Sequence, residues 1–129
     1  PPHFRGGATS MGPINRDHSI SLNKKEKVLA LKSALSSKMS ENDIIFIDSF
    51  VIETHKTKNL HNKLSKFKYK SALFVYGDES EDNNFKMASS NLPRVSSLSH
   101  KGLNVKDIIS YDKIFIEEKS VNKISERLL

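Results

Sequence analysis

The chain has 129 residues, of which 36% are hydrophobic and 28% are charged, and this composition suits one globular domain with its own core better than a disordered chain. The absence of cysteine excludes disulfides, thiolate zinc sites and cysteine nucleophiles, and the sequence contains neither a membrane-length apolar run nor a signal-peptide pattern, so we expect a soluble, intracellular protein. The formal net charge of +6 favours polyanionic partners.

The positive charge is concentrated in the first part of the chain. Residues 1–70 contain 13 Lys and Arg against 6 Asp and Glu, a net charge of +7, whereas residues 71–129 contain 8 against 9, a net charge of −1. Both a lysine-rich solvated surface and a nucleic-acid-binding surface are consistent with this asymmetry, and charge alone does not separate them.

Residues 1–23 contain turn formers but no sustained hydrophobic period, which predicts an extended N-terminal arm. Near its start, an aromatic ring that can stack on a base and a guanidinium that can bind phosphate precede two glycines that admit a close backbone. These residues are Phe4, Arg5, Gly6 and Gly7. An RNA-binding segment needs this combination, but a disordered tail with accidental Arg and Gly is an equal alternative.

Residues 24–41 are predicted to form an amphipathic helix with a basic rim. Apolar residues recur at i, i+3, i+7 and i+11, which places them along one face of a helix. The apolar residues are Val28, Leu31, Leu35 and Met39, and the flanking lysines are Lys24, Lys27, Lys32 and Lys38. Together with Arg16, the lysines of this helix would continue the basic track of the arm along the folded body.

Strand and helix patterns alternate from residue 44 onward. Apolar runs at residues 44–50, 72–76 and 113–116, with a weaker one at 95–98, lack polar alternation and are typical of parallel strands covered on both faces. Four helical patterns lie between or after them: Leu60, Leu64 and Phe67; Phe85, Ala88 and Leu92, closed by Pro93; Val105, Ile108 and Ile109 behind an Asn104 cap; and Val121, Ile124 and Leu128 from Ser120. This order predicts one α/β domain over residues 24–129, with three layers in the order α/β/α and a mainly parallel sheet of four strands.

The loops that follow the predicted strands are where an α/β enzyme would place its site. Asp48 and Asp78 could hold a magnesium ion, or they could be turn-forming or helix-capping aspartates, and we favour the second interpretation because no nucleophile accompanies them. The sequence has no phosphate-binding loop, no G-x-S-x-G elbow and no H-E-x-x-H spacing among its five histidines. No catalytic, metal or cofactor site is therefore indicated.

Several short motifs resemble the L-four family of bacterial-type large-ribosomal-subunit proteins, and they occur in the family's order over nearly the whole chain. Residues 4–7 and 11–17 resemble its aromatic-R-G-G-G, F-G-P and P-R-D-Y run; residues 29–36 its L-A-L-R-S-A-L-S helix; 56–58 its P-K-T-K helix start; 91–93 its N-L-P turn; 101–105 its R-G-L-N-V segment; and 111–113 its Y-D-K segment. Ala8, Ile14 and His18 depart from the pattern. We expect the chain to be the last part of the family's long arm plus its globular body.

The resemblance implies a primary binder of large-subunit ribosomal RNA that acts in assembly and as a scaffold, on a bacterial cytoplasmic or an organellar ribosome. It implies neighbouring ribosomal proteins as further partners, and no catalysis, cofactor, metal, membrane or small-molecule substrate. The residues expected to contact RNA are Phe4, Arg5, Gly6, Gly7, Arg16, Lys24, Lys25, Lys27 and Lys32. Two alternatives are a magnesium-dependent or receiver-like α/β domain and a protein-interaction module that binds no RNA.

Overall fold

A computed structural model describes residues 1–50, 52, 54–77 and 83–129, with residue 83 described by its backbone alone. Within these ranges, helices and strands alternate from Lys24 to Leu128. The elements are α1 (Lys24–Ser40), β1 (Ile44–Ile47), α2 (Thr57–Leu64), β2 (Ala72–Tyr76), α3 (Asn83–Ser90), β3 (Val95–Ser99), a 3-10 turn (His100–Gly102), α4 (Val105–Ser110), β4 (Lys113–Glu117) and α5 (Glu118–Leu128).

The four strands form one sheet in the order β1-β4-β2-β3, and every neighbouring pair is parallel. This confirms the predicted α/β class and the parallel four-strand sheet. The chain crosses the sheet from β1 to β3 and then returns to β4, so its direction reverses after β3. Because right-handed crossovers are strongly preferred, the crossover helices α2 and α3 are expected on one face of the sheet and the crossover helix α4 on the other.

Two apolar clusters, one on each face of the sheet, confirm that arrangement. Successive side chains of a strand point to opposite faces, so Phe74 of β2 belongs to one cluster and its neighbour Leu73 to the other. The first cluster joins the sheet to α2 and α3 through Leu60, Leu64, Phe85 and Ala88. The second joins it to α1, α4 and α5 through Leu31, Ile108 and Ile124. The architecture therefore has three layers, α/β/α.

The prediction that residues 44–50 form a strand covered on both faces was wrong in two respects. β1 ends at Ile47, and it is an edge strand whose Phe46 is 46% exposed. Phe50 lies beyond the strand, where its ring is buried and stacks on Phe85 with 5.1 Å between ring centroids. The run extends to Phe50 because this ring supplies the core directly, although the chain has left the sheet.

The apolar stripe predicted for α1 is buried only at its centre. Leu31 is buried, Val28 and Leu35 are half-buried, and Met39 is 52% exposed. Three helices share this face of the sheet, and α1 and α5 leave an open apolar groove of about 510 Å³ above β1, which Met39 and Phe46 border. A helix that shares one face with two others buries a narrower stripe than its period predicts.

Three of the predicted helix boundaries were also wrong. α2 ends at Leu64 and α3 at Ser90, so Phe67 and Leu92 lie in the turns that follow, where their N–H groups donate to Leu64 and Ser89. α5 begins at Glu118, two residues before Ser120. The Asn104 cap is confirmed, because its side-chain oxygen accepts a hydrogen bond of 2.8 Å from the N–H of Asp107.

Residues 1–23 contain turns and bends but no helix or strand, and all of them except the half-buried Gly12 are exposed. Their extended course as an arm therefore stays a prediction. Among the helices that the structure describes, none has the length and the apolar character that a membrane crossing requires.

A left-handed residue ends α1 and prepares the turn into β1. Asn42 has a φ of +59°, its N–H donates to Met39, and the N–H of Asp43 donates to Lys38. These two bonds form a Schellman motif, which favours Gly or Asn at the left-handed position. We expect Asn42→Ala to lower the free energy of unfolding by about 1–2 kcal/mol, because alanine keeps the β-carbon but lacks the short polar side chain that lets asparagine adopt this conformation. Asn42→Gly should cost less, because glycine has no β-carbon. Urea denaturation followed by circular dichroism measures both, and equal losses for the two variants would contradict this account.

Candidate nucleic-acid interface

The first residues of the chain present an aromatic ring and a guanidinium to solvent. Phe4 is 60% exposed, its ring lies against His3 with 4.5 Å between centroids, and Arg5 is exposed beside it. Both side chains are therefore accessible, as an RNA-contacting role requires, but that role itself stays a prediction.

Two turns at the start of the chain explain why Gly6 and Gly7 are glycines. The N–H of Phe4 donates to Pro1 and the N–H of Gly7 donates to Phe4, which makes two consecutive turns. Gly6 has a φ of +77°, and a β-carbon on Gly7 would overlap the carbonyl oxygen of Pro1. Glycine is thus required at both positions by the turns, and close approach of an RNA backbone is an additional expectation.

Arg16 is followed by an aspartate that is already engaged elsewhere. The carboxylate of Asp17 accepts hydrogen bonds of 2.8 Å from both the N–H and the hydroxyl of Ser19. The backbone bond and then the hydroxyl bond lower the pKa of Asp17. Arg16 is exposed and forms no ion pair with a residue that the structure describes, so its guanidinium is available to an external anion.

The lysines at the start of α1 are all exposed, and three of them lie together. Lys24, Lys25 and Lys32 border a shallow groove of about 470 Å³, whereas Lys27 does not line it. The groove is also lined by apolar residues, Val28 and Leu29 from α1 and Leu128 and Leu129 from the C-terminus. A groove lined by both cations and apolar side chains suits a chain that carries phosphates on one side and flat bases on the other.

The structure adds Arg127 to this group, and sequence reasoning missed it. Arg127 lines the same groove, and one of its terminal nitrogens donates to the carbonyl oxygens of His100 and Lys101 at 3.1 and 2.9 Å. It therefore connects α5 to the 3-10 turn and raises the positive charge beside α1. No local pattern marks a single arginine in the last turn of a helix, so only the tertiary structure reveals its position.

Two carboxylates lie at the carboxyl ends of the strands in the described part of the chain. Asp48 is exposed after β1, and Asp78 lies outside the described residues. Glu117, at the end of β4, is buried, and its carboxylate accepts a hydrogen bond of 2.7 Å from the N–H of Gly77 at the end of β2. This bond ties two central strands together, which is a structural use of the carboxylate. Among the described residues, no group of three or more His, Asp and Glu is arranged to hold a metal ion.

Comparison with known proteins agrees with the resemblance of the motifs. The sequence model of the ribosomal protein L4/L1 family matches residues 1–127. Proteins named large ribosomal subunit protein uL4 are 41% identical in Bartonella quintana, 40% in Methylorubrum populi and 39% in Rhizobium johnstonii, each over 126 residues. These matches cover 98% of this chain and 61% of each relative, so the chain spans less than two thirds of their length. Because this match runs over nearly all of its residues, the chain belongs to the ribosomal protein L4/L1 family.

Proposed function

We propose that this chain is the RNA-binding body of a structural protein of the large ribosomal subunit, without catalytic activity or cofactor. Its partners are large-subunit ribosomal RNA and neighbouring ribosomal proteins, on a bacterial cytoplasmic or an organellar ribosome. Residues 1–23 act as an RNA-contacting arm and residues 24–129 as the single domain that holds it. Membership of the family supports this function, since the relatives are named as proteins of the large ribosomal subunit.

One observation carries the proposal: the predicted cationic residues are exposed and free of ion pairs within the described part of the chain. The only salt bridge there joins Lys38 and Asp43, away from the arm and the first turns of α1. The available cations are Arg5, Arg16, Lys24, Lys25, Lys27 and Lys32. Unpaired exposed cations along a track suit phosphate contacts, which release counterions when they form.

The test is a filter-binding titration of the chain against large-subunit ribosomal RNA at several salt concentrations, with transfer RNA as the competitor. If five of the six cations contact phosphates, we expect the logarithm of affinity to fall against the logarithm of salt with a slope of about −3.5 to −4.5. We expect transfer RNA to compete weakly, because it offers the same phosphates but not the bases and shape of the ribosomal RNA, which are what specify one RNA.

An affinity that does not depend on salt, or equal competition by transfer RNA, would overturn the proposed function. The double variant Asp48→Asn with Asp78→Asn distinguishes the proposed function from the alternative of a magnesium-dependent domain. This variant removes the carboxylates that would hold the metal, and we expect its affinity for ribosomal RNA to equal or slightly exceed that of the unmodified chain, because it removes negative charge.

A further inference from the structure

A second group of cations lies at the amino-terminal edge of the sheet. It includes none of the RNA-contacting residues proposed above. The segment of residues 63–70, KLSKFKYK, joins α2 to β2 and contains four lysines and no acidic residue. All four lysines are exposed, and none forms an ion pair within the described ranges. Charge at this edge therefore remains available to an external partner.

The sheet brings two further cations to this segment from distant parts of the chain. Ala72, the first residue of β2, lies between Val95 of β3 and Lys113 of β4 in the register. The exposed Arg94 precedes Val95, and its carbonyl oxygen accepts a hydrogen bond of 3.0 Å from the N–H of Ala72. The N–H of Lys113 donates to the carbonyl oxygen of Ser71 at 3.1 Å. The group, which we name the basic edge, consists of Lys63, Lys66, Lys68, Lys70, Arg94 and Lys113.

Two aromatic rings lie among these lysines and are held by the core. Phe67 and Tyr69 both contact the buried ring of Phe115 edge-on, with centroid distances of 5.5 and 6.4 Å. Phe67 nevertheless stays 41% exposed, and Tyr69 is half-buried. Burial raises the pKa of Tyr69, so its phenol remains neutral at neutral pH and adds no charge that would repel phosphate. The rings are therefore fixed in place yet partly open to a flat ligand.

The acidic groups near the basic edge are already bonded within the protein. Asp112 precedes β4, and its carboxylate accepts a hydrogen bond of 3.3 Å from the N–H of Lys70. Its own N–H donates to the hydroxyl of Ser71 at 2.8 Å. Asp43, whose carbonyl oxygen accepts the N–H of Ile114 next to Lys113, pairs with Lys38 at 3.7 Å. These two carboxylates offset only part of the charge of six cations, so the edge keeps a net positive charge.

We infer that the basic edge is a second RNA-binding surface, whose cations hold the phosphates of a single-stranded or irregular segment while an unstacked base lies on Phe67. Lysines interleaved with partly exposed aromatic rings are the pattern by which proteins bind unpaired RNA. An acidic protein partner would use the cations but would leave the open ring without a function.

This surface is far from the groove at the start of α1. The end of α1 and the start of β1 lie at the amino-terminal edge of the sheet, and the 17 residues of α1 give it a length of about 26 Å, so Lys24 and Lys25 lie at the opposite end of the helix from this edge. The two surfaces would therefore hold two separate RNA segments, and the body would act as a bridge between them. The inference rests on the proposed function, which it extends from one RNA contact to two.

The charge test compares two variants of the whole chain in the same filter-binding titration. Lys68→Gln with Arg94→Gln removes two cations that only the fold brings together, and Lys86→Gln with Lys106→Gln removes two exposed lysines of α3 and α4 as the matched control. For two contacts to unpaired RNA, we expect the salt slope of the edge variant to become shallower by about 1.4 and its affinity to fall about 25-fold at 0.1 M salt. The control variant should keep the salt slope of the unmodified chain, and its affinity should differ by no more than about 2-fold.

The stacking test uses the fact that the chain has no tryptophan. Phe67→Trp introduces a single fluorophore at the basic edge, and Ile109→Trp introduces one on α4, where the native side chain is 67% exposed. We expect saturating ribosomal RNA to quench the first fluorophore strongly and the second weakly, with circular dichroism confirming that both variants are folded.

The outcomes separate this inference from the proposed function. If the unmodified chain binds ribosomal RNA no better than transfer RNA, the proposed function fails. If the unmodified chain binds well but the edge variant binds like its control, the basic edge binds no RNA and this inference alone is overturned. Full RNA occupancy without quenching of the tryptophan at position 67 would overturn the stacking of a base at that position.

Discussion

Replacing Arg5 and Arg16 with glutamine is expected to weaken binding of large-subunit ribosomal RNA about 25- to 60-fold at 0.1 M salt. Each phosphate contact contributes about 0.7 to 0.9 to the slope of log affinity against log salt, so the loss of two contacts makes the slope shallower by about 1.4 to 1.8. Both guanidinium groups are exposed and unpaired within the described chain, so the substitutions remove no internal ion pair. Filter binding over a range of salt concentrations measures both quantities.

A change in stability does not explain such a loss, because neither side chain packs in the described core. Lys86→Gln with Lys106→Gln again serves as the control, since it lowers the net charge by the same amount at exposed positions outside both proposed surfaces. If the control loses as much affinity as the arginine variant, binding depends on net charge alone and the assignment of the arm is wrong.

Truncation of Phe115 is expected to be the most destabilising single change, with a loss of about 3–5 kcal/mol for Phe115→Ala. Phe115 is fully buried at the centre of β4 and stacks on Phe74 of β2, with 4.7 Å between ring centroids and 7° between ring planes. The register places these two residues side by side. Phe67 and Tyr69 also contact the ring, so the substitution leaves a cavity under both.

Urea denaturation followed by circular dichroism measures this loss, which is large against the 5–15 kcal/mol that stabilises an ordinary domain. Phe46→Ala is the matched control, because it removes the same side chain from the edge strand β1, where the ring is 46% exposed. We expect that variant to lose about half as much or less. Equal losses for Phe46 and Phe115 would show that burial does not determine the cost.

The sequence by itself determined the elements whose signals are local. The apolar runs of β2 and β4, the Asn104 cap, and the alternation of strand and helix each depend on residues close together in the chain, and the structure confirms them. The family was also evident from short motifs in order, since several ordered matches are far more specific than any single one. The RNA-contacting residues of the arm could be proposed from the chemistry of their side chains alone, because this signal is local too.

Only the tertiary structure decided which strands lie at the edges and which surfaces the fold assembles. β1 is at least as apolar in sequence as β4, but the order β1-β4-β2-β3 leaves β1 half-covered and buries β4. Arg127 reaches the groove beside α1, and Arg94 and Lys113 reach the segment before β2, through packing and strand pairing between distant residues. Such pairings depend on the energy of the whole sheet and core, so no local pattern of residues encodes them.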